Sequence, residues 1–409
     1  MALAGCVQAG GPDAEKWLGS QANVTSVKLS YETDGLEQRP DLTAIVSPAA
    51  SDDALENLAS RVSDYLRAHT TRRLTIALTA SGISLLVAKS QPVTTVTEWA
   101  ALRHDKRVVS GMVSDTLNLL AARADVVPVY RDHVAGLPLS VDQSGSISGI
   151  EIGGVKACTP TPAYLAFAAQ MAADTAVHAT QLAPCGSSVI AVTGIAAMFP
   201  LVQMLHAQGE SDVTVVYDSD DNLIFQRAAY SVPVARGTPG ALTLLAAVTT
   251  IGELNGFVIA NDGSLNVTGP LEPAAEAVFS NSAVSSVSSV TVTSGLTTIR
   301  ANSVVDFDAD DALANAVHRI SSHAYVTVAP SAIAVVLVTD AGKKIDDYSK
   351  HGKAVIRAVV TSSLWHDRTV TIKNFDQGGV QFVNGVGSAA GLRTASGPSF
   401  IAYWNFLTT

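Results

Sequence analysis

The chain has 409 residues, a formal net charge of −10, 47% apolar residues and only 6% aromatic ones. Its length accommodates several domains and a sizeable core. Its 26 basic residues are scattered, which argues against a nucleic-acid partner. No apolar run reaches the roughly 18 residues that a membrane span needs, and the greasiest stretch, ALTLLAAVTTI at 241–251, falls far short. Val and Thr favour strands while Ala-rich runs favour helices, so the expected class is α+β or α/β.

Residues 1–22 read as a flexible N-terminal tether, with Trp17 as a candidate partner contact. Near its start stands Leu3-Ala4-Gly5-Cys6. This tetrapeptide resembles a bacterial lipobox, in which the cysteine thiol carries diacylglycerol after signal-peptide cleavage. The resemblance covers those four residues only. It implies lipidation of Cys6, a membrane-anchored extracytoplasmic location and a native start upstream of Met1, because no basic and apolar leader precedes the motif. If LAGC is a coincidence of an Ala-rich chain, the protein is cytoplasmic. Cys158 and Cys185 are left as an even pair, which an oxidising compartment would bridge; the alternative is two buried apolar cysteines.

The first module, 23–114, opens with the strand Asn23–Tyr31, and a second strand follows at Leu42–Val46. In SDDALENLASRVSDYL, Leu55, Leu58, Val62 and Leu66 fall at helical spacing, with Ser51 placed to cap the first turn. Strands at Leu74–Thr79 and Ile83–Val87, a helix at Thr95–Arg103 that buries Trp99, and a strand at Val108–Val113 complete it. The order β-α-β-β-α-β resembles a ferredoxin-like split βαβ unit, which implies a four-stranded antiparallel sheet with two helices on one face.

The second, degenerate module, 115–230, reads as a helix at Asp115–Ala124, strands at Val126–Val129, Leu137–Val141 and Ile147–Ile152, and a long helix at Thr161–Thr180. A strand at Ser188–Thr193, a helix at Ala196–Gln208 and a hairpin through Asp218–Asp221 follow. A third segment, 231–295, contains a hairpin across Asn261-Asp262-Gly263. In the fourth, 296–409, DDALANAVHRIS at 310–321 repeats the organising helix and is expected to begin at Asp310-Asp311. Beyond it come strands, with one at Ala354–Val360, a C-terminal hairpin and an aromatic tail expected to form a last strand or to pack on the body.

No nucleophile elbow, zinc spacing or phosphate loop is present, so no cofactor is expected. The weak metal candidates are Asp306, Asp308 and Asp310, and Asp218 with Asp220. Their density suits Ca²⁺, and capping or turn formation explains them equally well. Trp365, between strands in Trp365-His366-Asp367-Arg368, is a second candidate contact residue. The reading is a non-enzymatic, surface-anchored scaffold that binds an unknown protein or glycan at the cell surface. The alternatives are an extracytoplasmic hydrolase whose site is assembled from distant residues, and a phage or cell-surface structural subunit.

Overall fold

A computed structural model describes residues 11–34, 37–69, 74–90, 92–134, 137–145, 149–153, 159–220, 225, 228–338, 345–374, 378–388 and 396–408. Cys6 and Cys158 lie outside them. The chain divides into two units, one of Met1–Ala197 with Asp212–Thr214 and Ser219–Gln226, the other of Met198–Ser211, Val215–Asp218 and Arg227–Thr409.

The first unit contains α1 (Gly11–Gly19), β1 (Val24–Asp34), β2 (Glu37–Val46), α2 (Asp52–Ala68), β3 (Thr75–Ala80), β4 (Ile83–Val87) and α3 (Val93–Leu102). It continues with β5 (Val108–Val113), β6 (Leu117–Ala121), α4 (Val126–His133), β7 (Leu139–Gln143), β8 (Ile150–Gly153), α5 (Pro162–Ala173), β9 (Val177–Leu182) and β10 (Ser188–Val192). α6 (Ile195–Ala207) and β11 (Val213–Tyr217) follow. The second unit contains β12 (Tyr230–Pro233), α7 (Pro239–Val248), β13 (Gly256–Ile259), β14 (Leu265–Thr268), α8 (Leu271–Phe279), β15 (Val290–Ser294) and β16 (Thr297–Ala301). Its last elements are α9 (Val304–Ile320), β17 (Tyr325–Ala329), β18 (Ala332–Leu337), α10 (Ile345–Ser362), β19 (Thr369–Asn374), β20 (Gly378–Val383), β21 (Val386–Ser388) and α11 (Ser396–Thr408).

The class is α+β with mixed strand pairing. In the first unit, β1 to β10 pair in chain order, and each antiparallel hairpin is joined to the next by a parallel pair. The second unit repeats this from β12 to β20, and β21 adds one more antiparallel strand. A helix bridges every one of these parallel junctions, as α2 does between β2 and β3 and α9 between β16 and β17. Parallel neighbours need such a crossover, whereas antiparallel neighbours need only a turn.

Ferredoxin-like modules are not confirmed. A split βαβ unit places another strand between the two that flank a helix, and here those two are direct neighbours.

In each unit, helices cover one face of the paired strands. Along β3 and β4, Ile76, Leu78, Ala80, Ile83, Leu85 and Val87 are buried, and the residues between them are not. α2, in contact with β4, contributes Leu55, Leu58, Val62 and Leu66, all buried. In the second unit, α9 lays Leu313 and Val317 over Val326, Val328 and Ile333 in one apolar cluster. Leu55 and Leu313 are 0% and 2% exposed, so the two matched helices use the same residue for the same task. The other sheet face carries Thr and Ser in cross-strand pairs: Thr79 with Ser84 at 2.8 Å and Thr293 with Thr298 at 3.3 Å.

Several elements differ from expectation. Residues 11–19 form a helix within the expected tether, and Ala14 and Leu18 are fully buried. Asp115–Ala124 was expected as a helix, but its LNLLA core is β6, with alternate residues buried. A short apolar run fits either period, and pairing with β5 and β7 decides it. Conversely, Val126–Val129 belongs to α4 and Ala354–Val360 to α10. The long helix expected at Thr161–Thr180 ends at Ala173, before β9. The aromatic tail is helical: Phe400 and Trp404 are buried, with Trp404 stacked on Phe382 at 4.0 Å. Gly352 in α10 makes room for Phe400, since a Cβ there would collide with that ring.

The clearest correction concerns Asp310. α9 begins at Val304 and is capped by Ser303, whose Oγ accepts from the Asp306 N–H at 3.2 Å. Asp310 is therefore mid-helix and only 1% exposed. Arg368, just before β19, donates to its Oδ1 at 2.6 Å, while Oδ2 has no hydrogen-bond partner among the described residues. Burial raises its pKa, and Arg368 offsets part of that rise. The matching aspartate, Asp52, is half exposed and takes its hydrogen bond from Arg103 at 2.6 Å, again just beyond the next helix. In both places an acid on one helix is tied to a base past the end of the following helix.

Removing the base from a buried carboxylate is far more damaging than removing it from a half-exposed one, which water can solvate. We expect Arg368→Ala to cost about 3–5 kcal/mol and Arg103→Ala about 1 kcal/mol or less through its ion pair, read by chemical denaturation. Adding Asp310→Asn should recover part of the Arg368→Ala loss; no recovery would mean that the buried charge is not the cause.

Candidate functional site

The candidate is a groove between α8 and α9 in the second unit. Pro270 precedes α8, and Ala274, Ala275 and Val278 form its buried side. Glu272 and Glu276, four residues apart, share an outer face and line the groove with Phe279. From α9 come Val304, Phe307, Asp308, Asp311, Asn315 and Arg319, a helical stripe beside the one that covers the sheet. The groove encloses about 680 Å³. Phe279 and Phe307 meet in it with ring centroids 6.1 Å apart.

Its electrostatics favour a cation. Burial raises the Asp311 pKa, the nearby carboxylates Glu272 and Asp308 push the same way, and the Asn315 side-chain amide, donating at 2.9 Å, works against them. Four carboxylates against one arginine, Arg319, leave a negative balance over the phenyl rings, which attracts a positively charged group that also has an apolar or aromatic part. Val304 and Val305, 45% and 73% exposed, supply apolar surface beside the groove.

The sequence-derived candidates are not brought together. Ser303 Oγ donates to the Asp306 carboxylate at 2.7 Å, Asp308 faces the groove, and Asp310 is turned inward to Arg368. Successive two-residue steps along a helix rotate by about 200° and scatter these side chains. Asp218 accepts from the Ala229 N–H at 2.8 Å, and Asp220 lies in the same loop. No group of three His, Cys, Asp or Glu side chains among the described residues is arranged to hold a metal ion.

Trp17 stacks on Tyr65 at 4.0 Å, and Tyr65 stacks on His69. Trp365 packs edge-on against Trp404 at 5.3 Å and flanks the Gly385 turn. Both tryptophans therefore serve the body of the protein, with part of each ring surface still exposed.

A second cluster, in the first unit, had no sequence signal beyond separate charged residues. His133, at the end of α4, is held between Glu98 of α3 at 2.8 Å and Asp105 at 3.1 Å. Arg107 donates to Asp105 at 2.6 Å and to Asp132 at 2.8 Å, and Arg131 also reaches Asp132. The Glu98 contact leads in raising the His133 pKa, burial opposes it, and Asp105 reinforces it. Arg107 holds Asp105 well below the usual carboxylate range, and Arg131 with Arg107 brings Asp132 down to about 2. Only the bases that follow helices, Arg103, Arg107 and His133, would have offered a hint in the sequence.

No protein-family model, curated protein or solved structure matches this chain.

The cluster makes stability pH-dependent. A histidine whose folded pKa lies above the unfolded value of about 6.5 contributes fully below that pH and loses its contribution as pH rises through the folded value. Urea denaturation should therefore show stability falling from about pH 6 toward pH 9, with a shallower fall in His133→Gln. Equal slopes in the two proteins would contradict the assignment.

Proposed function

We propose that the protein is a non-enzymatic scaffold displayed outside the cytoplasm, anchored through lipid on Cys6, and that it binds protein or glycan partners at the cell surface. The observation that carries the reading is the reiterated hairpin–helix unit, with helices on one sheet face and polar Thr/Ser pairs on the other. Stacked repeats of this kind make extended binding surfaces at modest structural cost. The finer reading, that the modules at 23–114 and 296–409 descend from one ancestral unit, belongs to this proposal and is supported by the matched burial of Leu55 and Leu313.

Anchoring would be short. Only residues 7–10 separate Cys6 from α1, a reach of about 17 Å at full extension, so the body would sit close to the bilayer. No described helix is long and apolar enough to cross a membrane, and a lipid would supply the attachment. We propose that Cys185 pairs with Cys158, a bridge that an oxidising compartment would allow. A second reading, a phage or cell-surface structural subunit, is favoured by oppositely charged surfaces on different helices of the second unit.

Mass spectrometry of protein made from the complete native gene tests the anchor. The expected result is a diacylglycerol thioether on Cys6, membrane recovery that is lost in Cys6→Ala, and a Cys158–Cys185 peptide under non-reducing digestion. An unmodified Cys6 in protein recovered from the cytosol would overturn it.

A further inference from the structure

The α8–α9 groove has a counterpart on the same unit. Phe406, in the last turn of α11, is 75% exposed, although its neighbours Phe400 and Trp404 are buried. It stacks beside Tyr403 with ring centroids 6.5 Å apart. Across from that ring, α10 places the Lys353 ammonium 5.8 Å and the Arg357 guanidinium 5.9 Å from the Tyr403 centroid. Arg357 also donates to the Tyr403 hydroxyl at 2.6 and 3.0 Å. That partner is neutral, and no carboxylate pairs with Lys353 or Arg357 among the described residues. The result is one patch with two cations and an exposed benzyl group.

The groove presents the complementary set: Glu272, Glu276, Asp308 and Asp311 around Phe279 and Phe307. Its four carboxylates repel one another, and Arg319 is the single cationic side chain among its lining residues, so the groove keeps a negative balance. Its volume of about 680 Å³ admits a phenyl ring onto the aromatic floor, where offset or edge-on packing is favourable. Phe406 is exposed, so the chain does not bury its own patch.

We infer that the α8–α9 groove receives the α10–α11 patch of a second copy of this chain. Phe406 enters beside Phe279 and Phe307, and Lys353 and Arg357 meet the four carboxylates. Groove and patch are different surfaces, so two copies can pair them reciprocally about a two-fold axis or link them head to tail. The inference deepens the scaffold reading by naming a partner, a copy of itself. It does not depend on the lipid.

Sedimentation velocity on the full chain carrying Cys6→Ala tests it, so that anchoring, judged by mass spectrometry, can fail or succeed separately. The mean mass should rise with concentration across the micromolar range at low salt. It should fall back at about 1 M salt, where charges are screened beyond about 3 Å. Phe406→Ala should weaken association at least tenfold. The acid-reversed variant Glu272→Lys/Glu276→Lys and the base-reversed variant Lys353→Glu/Arg357→Glu should each remain monomeric alone. An equimolar mixture of the two should associate, because the patch of the first meets the unaltered groove of the second. Circular dichroism of each variant should match the parent, since all the altered side chains except Lys353 are well exposed. A Cys6→Ala chain, otherwise unaltered, that stays monomeric, association unchanged by both reversals, or a mixture of folded variants that does not associate would each overturn the inference.

Discussion

The structure depends on one apolar contact, repeated along the chain: the buried stripe of a crossover helix against the covered face of the two parallel strands it connects. A parallel junction cannot be closed by a turn, so its helix must leave the sheet and return. The helix is held there by burying Leu55 and Val62 in one case and Leu313 and Val317 in another. Each such leucine contributes on the order of 2 kcal/mol by transfer from water. The alternation within the strands follows from the same contact, because side chains that point away from the helices meet none of them. The other face carries hydroxyls bonded across strands together with exposed apolar side chains such as Ile45 and Leu120.

Charge is layered onto this frame at the helix ends. Asp52 with Arg103, Glu98 with His133 and Asp310 with Arg368 all link a helix to the segment that ends the next helix. Their environments differ enough to give them different consequences. The Asp52 pair is exposed on its acidic side and adds little, the His133 cluster responds to pH, and the Asp310 pair is costly to break because an isolated buried carboxylate remains. The same positions therefore serve as joints with graded strength. Away from the joints, α8 and α9 carry Glu272, Glu276, Asp308 and Asp311 along the groove, whereas α10 sets Lys353 and Arg357 beside the aromatic rings of α11.

Much of the local structure was legible in the sequence. The spacing of Leu55, Leu58, Val62 and Leu66 marked α2, and Asn261-Asp262-Gly263 marked the β13–β14 turn, where Gly263 has φ +83°. Trp99 was expected in the core and is fully buried, its indole N–H donating to the Ile83 carbonyl. What pairs with what was less visible. An alternating strand has the same pattern beside a parallel or an antiparallel neighbour, so the hairpin–helix series was read as ferredoxin-like. DDAL looked like a helix start in both copies, but Ser303 caps α9 earlier and leaves Asp310 inside. The groove was invisible because its acids come from two helices, and each set alone reads as a solvated face. Phe406 looked like part of an aromatic tail packed on the body; only the placement of α11 separates it from Phe400 and Trp404.

The central claim, that the paired strands have one covered and one open face, is tested most directly by comparing three truncations in chemical denaturation. Leu55→Ala and Leu313→Ala should each lower stability by about 2–5 kcal/mol, since both leucines are buried beneath helices. Ile45→Ala, on the other face of β2 and 43% exposed, should change it by only about 0.5 kcal/mol. A loss at Ile45 as large as at Leu55, or a negligible loss at either leucine, would contradict the one-sided architecture.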